Sequence, residues 1–370
     1  MAQEKERIGW MDTARGIAML LVLLGHILEH VPCTAEGQLV HDLIYSFHMS
    51  LFFILSGMLL RASEGESGRP GSRTSFLRFV MRKARTILLP YAVFCFLMTL
   101  WDVFHDRYLP FSSLAETLRI LFLMRPTAFQ WYWFLPAMFT AQCLFYLLIK
   151  YVRRWPFRLL LCLLLGGCGL LLSKSPVSYW LPLHLDIALF SLIFLYAGFS
   201  ARTCLAVLRR KLSRPLFRRI LSRRGLLIMS LFVFSVSNFI FLFVLKEYAQ
   251  YYYNLDVRCL PLFAATSLSG SAIVILLSKI PFLARSRVLR WYGRNSLSCF
   301  GLHYFPHWAL IIDLAYLLLS ETTPWYAAWP VFLLLFLVLA LLTAPLMYIY
   351  TQVTARRRNS RRTAESNPDT

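Results

Sequence analysis

The chain has 370 residues and is 58% hydrophobic but only 15% charged, well below the roughly 25% charged fraction usual for soluble domains. That composition excludes an ordinary soluble globular domain. The net charge of +21 does not indicate a nucleic-acid partner, because the basic residues fall in segments between long apolar runs. The eight cysteines are dispersed, mostly within apolar runs, and imply neither a disulfide framework nor a Cys/His metal site.

Several runs reach the roughly 20 apolar residues needed to cross a bilayer. The expected fold is an all-α polytopic membrane protein of about ten transmembrane helices. The spans are drawn at 8–31, 41–60, 87–104, 131–151, 157–173, 185–202, 225–245, 259–278, 295–319 and 329–352. The transmembrane domain is therefore expected at 1–352, followed by a basic, disordered cytoplasmic tail at 353–370. The polar lead MAQEKER runs into a full-length span with no small-residue cleavage site, so the first span is expected to be retained. Lys and Arg alternate by side: 32 lie on one set of intervening segments, 6 on the other, and Arg15 lies within the first span. This asymmetry places both termini in the cytoplasm.

The first span reads IGWMDTARGIAMLLVLLGHILEHV and carries Asp12, Arg15 and His26. An ionisable group at bilayer depth costs about 2.5 kcal/mol or more, which makes it a candidate functional residue. Eleven residues separate Arg15 from His26, which brings them within about 20° of one helix face and about 16 Å apart along the axis. Asp12 lies three residues before Arg15, a spacing that lets carboxylate and guanidinium meet. In the plainer reading, Arg15 snorkels to the interface and His26 packs as a satisfied histidine. The second span adds His48 and Ser56.

Before the third span, Arg82 and Arg85 fall three apart and share a helical face, with Lys83 between them. Paired guanidinium groups suit a phosphate-bearing ligand, whereas a positive-inside anchor on lipid phosphate accounts for the same charge. The segment Leu118–Pro126 is too short to span and reads as a re-entrant or interfacial piece. Trp131, Tyr132 and Trp133 follow at the position of an aromatic belt. Residues 202–224 alternate basic and apolar residues at near-helical spacing, as in an amphipathic segment lying on anionic headgroups.

The ninth span opens WYGRNSLSCFGLHYFPHWAL. Asn295 and Ser296 are placed to cap its start. His303 and His307 are four apart, but no third ligand accompanies them and Pro306 disturbs the helix between them, so no metal site is expected there. His26, His48 and His303 fall at depths that allow a common level within the bundle.

TARGIAMLLVLLGH, FHMSLFFILSG, RKAR at 82–85, WFLPAMF at 133–139 and YGRNSLSCFGLH at 292–303 together resemble the acyltransferase 3 family of integral-membrane O-acyltransferases. The fucose 4-O-acetylase-like branch is the most similar. The resemblance runs from about Arg7 into the tenth span. It implies a ten-helix core that takes an acyl group, commonly acetyl, from cytoplasmic acyl-CoA. The group goes to a hydroxyl of an envelope carbohydrate or lipid-linked sugar at the bacterial inner membrane. The family's helix 1 arginine and histidine correspond to Arg15 and His26, and its Arg-x-x-Arg to Arg82 and Arg85.

On this reading acetyl-CoA or another acyl-CoA is a co-substrate, and no tightly bound cofactor or metal is expected. His26 serves as general base, since a hydroxyl becomes a competent nucleophile when a near-neutral base removes its proton. An acyl-histidine relay is a variant. Arg15 binds the donor or polarises the site with Asp12 orienting it, and His48 or Ser56 supports it by hydrogen bonding. Arg82, Arg85, Trp133, Asn295, Ser296 and His303 are the remaining substrate-binding candidates. A transporter or flippase of an envelope precursor accounts equally for buried ionisable groups in many spans. No inverted repeat of the kind transporters often carry is visible.

Overall fold

A computed structural model describes residues 9–30, 35–65, 76–105, 132–211, 219–245, 255, 257, 259–303, 307–320 and 323–366. Regular structure among them is helical throughout. In chain order, α1 is Gly9–His30, α2 Ala35–Tyr45, α3 His48–Gly65, α4 Phe76–Lys83 and α5 Leu89–His105. Then come α6 Phe134–Tyr151, α7 Trp155–Ser173, α8 Leu185–Lys211, α9 Arg223–Phe239 and α10 Leu260–Leu277. The last five are α11 Pro281–Ala284, α12 Arg287–Arg294, α13 Ser296–Leu302, α14 His307–Leu318 and α15 Trp325–Ser366. The expected re-entrant piece, Leu118–Pro126, lies outside the described residues, as do Trp131 and 212–218 of the amphipathic segment.

Eight helical runs among the described residues are long and apolar enough to cross a membrane. They coincide with eight of the expected spans, some with a turn or π-helical winding inside them, and the other two, at 225–245 and 295–319, are not among them. At 225–245, α9 gives way after Phe239 to a π-helical turn, Ile240–Val244. At 295–319, α13 ends at Leu302 and α14 begins at His307. Pro306, expected to disturb this span, lies outside the described residues. The last helix continues past 352 to Ser366.

The chain folds as two compact units, Met1–His41 with Leu277–Thr370, and Asp42–Leu276. In the first, α1 and α12 approach backbone to backbone. A Cβ on Gly16 would lie 2.0 Å from the Leu289 carbonyl oxygen, and one on Gly293 only 1.7 Å from that of Asp12. Small residues permit such approaches between membrane helices. The buried Tyr292 hydroxyl donates to the Ala340 carbonyl at 2.9 Å, tying α12 to α15. The Lys279 ammonium lies 4.3 Å from the Trp10 ring centroid, a cation–π contact.

In the second unit, α3 and α8 meet at Gly57 and Gly198. Added Cβ atoms there would fall 2.1 Å from the Leu195 carbonyl oxygen and 2.0 Å from that of Ile54. The expected span 41–60 is not one helix, because a turn at Ser46–Phe47 separates α2 from α3. Hydroxyls repair the break. Ser267 of α10 donates to the Ser46 carbonyl at 2.7 Å and accepts from Ser50 at 3.2 Å. Without water nearby, such side-chain partners are what make an interrupted helix tolerable in a membrane. On α7, Leu160, Leu163, Leu164 and Leu171 are exposed, as a lipid-facing surface requires.

Gly198→Ala is expected to lower stability by about 1–3 kcal/mol, because the obstructing atom is backbone and the helices must separate. Thermal unfolding in nanodiscs reads this directly, and an unchanged Tm would refute the close packing of α3 on α8.

Candidate active site

The C-terminal turn of α1 in the first unit holds His26. Its Nδ1 lies 3.1 Å from Glu29 Oε2, one turn further along the same helix. A carboxylate is acceptor-only, so Nδ1–H donates and Nε2 is the ring atom able to take a proton. The His26 side chain is 19% exposed, which leaves the ring reachable. His303 packs against it with ring centroids 5.2 Å apart and planes inclined by 22°. His303 is fully buried at the end of α13 and donates from Nδ1 to the Phe300 carbonyl at 2.8 Å. That bond fixes the His303 ring, which serves as a flat wall beside His26. His30 donates from Nδ1 to the His26 carbonyl at 3.0 Å.

At the other end of α1, Asp12 is buried between two guanidinium groups. Its Oδ1 is 4.0 Å from Arg15 Nη1, and its Oδ2 accepts from Arg294 Nε at 3.3 Å. The two side chains are 28% and 48% exposed, so the carboxylate holds two partly solvated cations. One carboxylate between two guanidinium groups leaves a net single positive charge, so the cluster presents donors to an anion.

Asn295 and Ser296 lie at the α12–α13 junction. The expected capping is corrected here: Asn295 occupies the position before α13, but its Nδ2 donates back to the Trp291 carbonyl at 3.0 Å. It closes α12 instead of capping the amides of α13. Ser296 is the first residue of α13 and is half-buried. The side chain of His307 lies outside the described residues.

The second unit holds the other candidates. His48 opens α3, is buried, and donates from Nδ1 to the Ile44 carbonyl at 2.9 Å, with the Tyr45 ring 4.8 Å away. Ser56 accepts from Gln142 Nε2 at 3.3 Å. Arg82 and Arg85 are both exposed. The ring of buried Phe79 stacks on Tyr146 at 4.3 Å, and the Arg82 guanidinium and Lys83 ammonium each lie 5.5 Å from that ring. Phe79 thus fixes the stems of two cations. Arg85 falls in a π-helical turn, Ala84–Leu88, whose wider winding alters the α-helical face relation expected of Arg82 and Arg85. Trp133 stands just before α6 with its ring 6.4 Å from that of buried His184. Leu183 and His184 both have positive φ, 52° and 50°, a costly backbone for residues other than glycine.

Four of these groups escape a reading of the sequence. Glu29 carries a legible signal, its i,i+3 spacing from His26. Arg294, Gln142 and His184 act through contacts distant in sequence, which spacing does not encode.

A family model described as an acyltransferase domain, that of acyltransferase 3, matches residues 8–349. The nodulation protein NolL of Mesorhizobium japonicum is 31% identical over 146 residues, which cover 38% of this chain. The chain spans about a third of that relative, 36% of its length. No solved structure matches the chain significantly.

Proposed function

The chain belongs to the acyltransferase 3 family, and from that membership we propose that it moves an acyl group, commonly acetyl, from acyl-CoA to a hydroxyl of an envelope sugar or lipid-linked glycan. The observation that carries this reading is the His26–Glu29 hydrogen bond, which engages Nδ1 and leaves Nε2 as the ring atom to take a proton. Nε2 takes the hydroxyl proton as the acceptor oxygen attacks the thioester carbonyl. The new C–O bond replaces the C–S bond, and CoA leaves as a thiolate that receives a proton. General base catalysis of this kind contributes about 10²–10⁴-fold.

In this reading the protein sits in the bacterial inner membrane with ten spans and both termini in the cytoplasm, so that the donor is cytoplasmic. Arg82 and Arg85 bind CoA phosphates, a role suited to exposed guanidinium groups. Arg15, held by Asp12 beside Arg294, contributes positive charge to donor binding or to the reacting carbonyl. His48 and the Gln142–Ser56 pair support the second unit's polar interior. Trp133, Asn295, Ser296 and His303 complete the substrate-binding set.

Sealed proteoliposomes separate this reading from transport of an envelope precursor. Acyl-CoA consumption matched by acylated acceptor supports transfer. Acceptor accumulating across the membrane without acyl-CoA turnover would overturn it.

A further inference from the structure

The last turn of α1 reads HILEH, with imidazoles at 26 and 30 one helical turn apart and a carboxylate at 29 on the same side. We propose that His26, Glu29 and His30 form a binding site for a divalent cation of the zinc type, and that its occupancy shuts off base catalysis at His26. The site stands on geometry alone, whereas the shut-off rests on the function proposed above.

The ligand atoms of the three residues all lie within 4.8 Å of one another. Glu29 Oε2 is 3.1 Å from His26 Nδ1 and 3.8 Å from His30 Nδ1. Tetrahedral zinc with bonds of 2.0–2.2 Å separates its ligands by about 3.3 Å, so two edges of the coordination polyhedron are already near size. The third closes by small side-chain rotations within one helical turn. His30 exchanges its hydrogen bond to the His26 carbonyl for a coordinate bond. Two imidazoles and one carboxylate select zinc, nickel or copper over magnesium or calcium, which prefer all-oxygen sets. The three side chains are 19%, 27% and 24% exposed, so a cation can reach them and a fourth position stays open for water.

The consequence follows from the ring atoms. The cation takes Nδ1 of His26, the atom that otherwise donates to Glu29. A neutral imidazole bound to metal through Nδ1 carries its proton on Nε2. Nε2 then has no lone pair to receive the acceptor's proton. One atom therefore serves either the orienting carboxylate or the cation.

The test uses the full chain in lipid nanodiscs with zinc chloride as the probe. Calorimetry should show a single saturable zinc in the wild type, weakened by at least about tenfold in Glu29→Ala and His30→Ala, with excess magnesium not competing. Acyl transfer should fall as zinc saturates the wild type. His30→Ala, and His30→Gln as a second variant, should retain basal transfer and lose the inhibition. No saturable zinc on the wild type, or affinity unchanged in Glu29→Ala and both His30 variants, would overturn the site. Zinc bound at these residues with transfer unaffected would overturn the shut-off. Saturable zinc on a protein that transfers no acyl group in its absence upholds the site while defeating the assigned function.

Discussion

Replacing His26 with alanine is expected to cut the rate of acyl transfer by about 10²–10⁴-fold, the range that a general base supplies. The expectation is specific because the ring is oriented twice, by the hydrogen bond from Nδ1 to Glu29 and by the stack on His303. A hydroxyl that keeps its proton is a poor nucleophile toward a thioester, so the loss should appear in kcat. The fold should survive, because His26 is part-exposed and its α1 neighbours Leu23, Ile27 and Leu28 keep their burial. Glu29→Gln should cost less, since the amide oxygen still accepts from Nδ1 but no longer stabilises an imidazolium. Kinetics and thermal unfolding on the same nanodisc samples separate catalysis from stability. Full activity in a folded His26→Ala protein would remove His26 from the mechanism.

The double substitution Arg82→Ala with Arg85→Ala is expected to raise the KM for acyl-CoA by about 10²-fold or more, taking each lost charge-assisted contact at about 1.5–3 kcal/mol. If KM reports donor binding, kcat should change little, because phosphate contacts remote from the thioester act on ground and transition states alike. Arg82→Lys should restore only part of the affinity, since an ammonium lacks the planar fork. The Phe79–Tyr146 stack that holds the stem of Arg82 is untouched by these changes. An unchanged KM, with only membrane orientation disturbed, would assign these arginines to topology.

The spans were legible wherever apolar length alone decides, as in Gly9–His30 and Leu260–Leu277. They were less legible where a helix breaks, because the cause is local chemistry that an apolar window averages away. The turn at Ser46–Phe47 is sustained by Ser267, a residue 221 positions further along the chain from Ser46. The spacing that relates Asp12 to Arg15 is a property of one helix and could be read directly, as could that of Glu29 and His26. Arg294 reaches the same carboxylate only because Gly16 and Gly293 let α1 and α12 touch. The stack of His303 on His26 likewise depends on tertiary packing, because depth along the spans allows a common level for His26, His48 and His303 without deciding which of them meet. Asn295 shows the opposite case, since a residue with strong capping preference satisfies the helix behind it.

The most direct test follows a label from donor to acceptor. Purified protein in nanodiscs is given radiolabelled acetyl-CoA and an envelope-glycan extract, with His26→Ala alongside. The account predicts label bound to glycan by an alkali-labile ester, equimolar release of CoA, and neither in the variant. A folded wild-type protein that leaves the thioester intact across a range of acyl-CoA donors and a broad extract would contradict it.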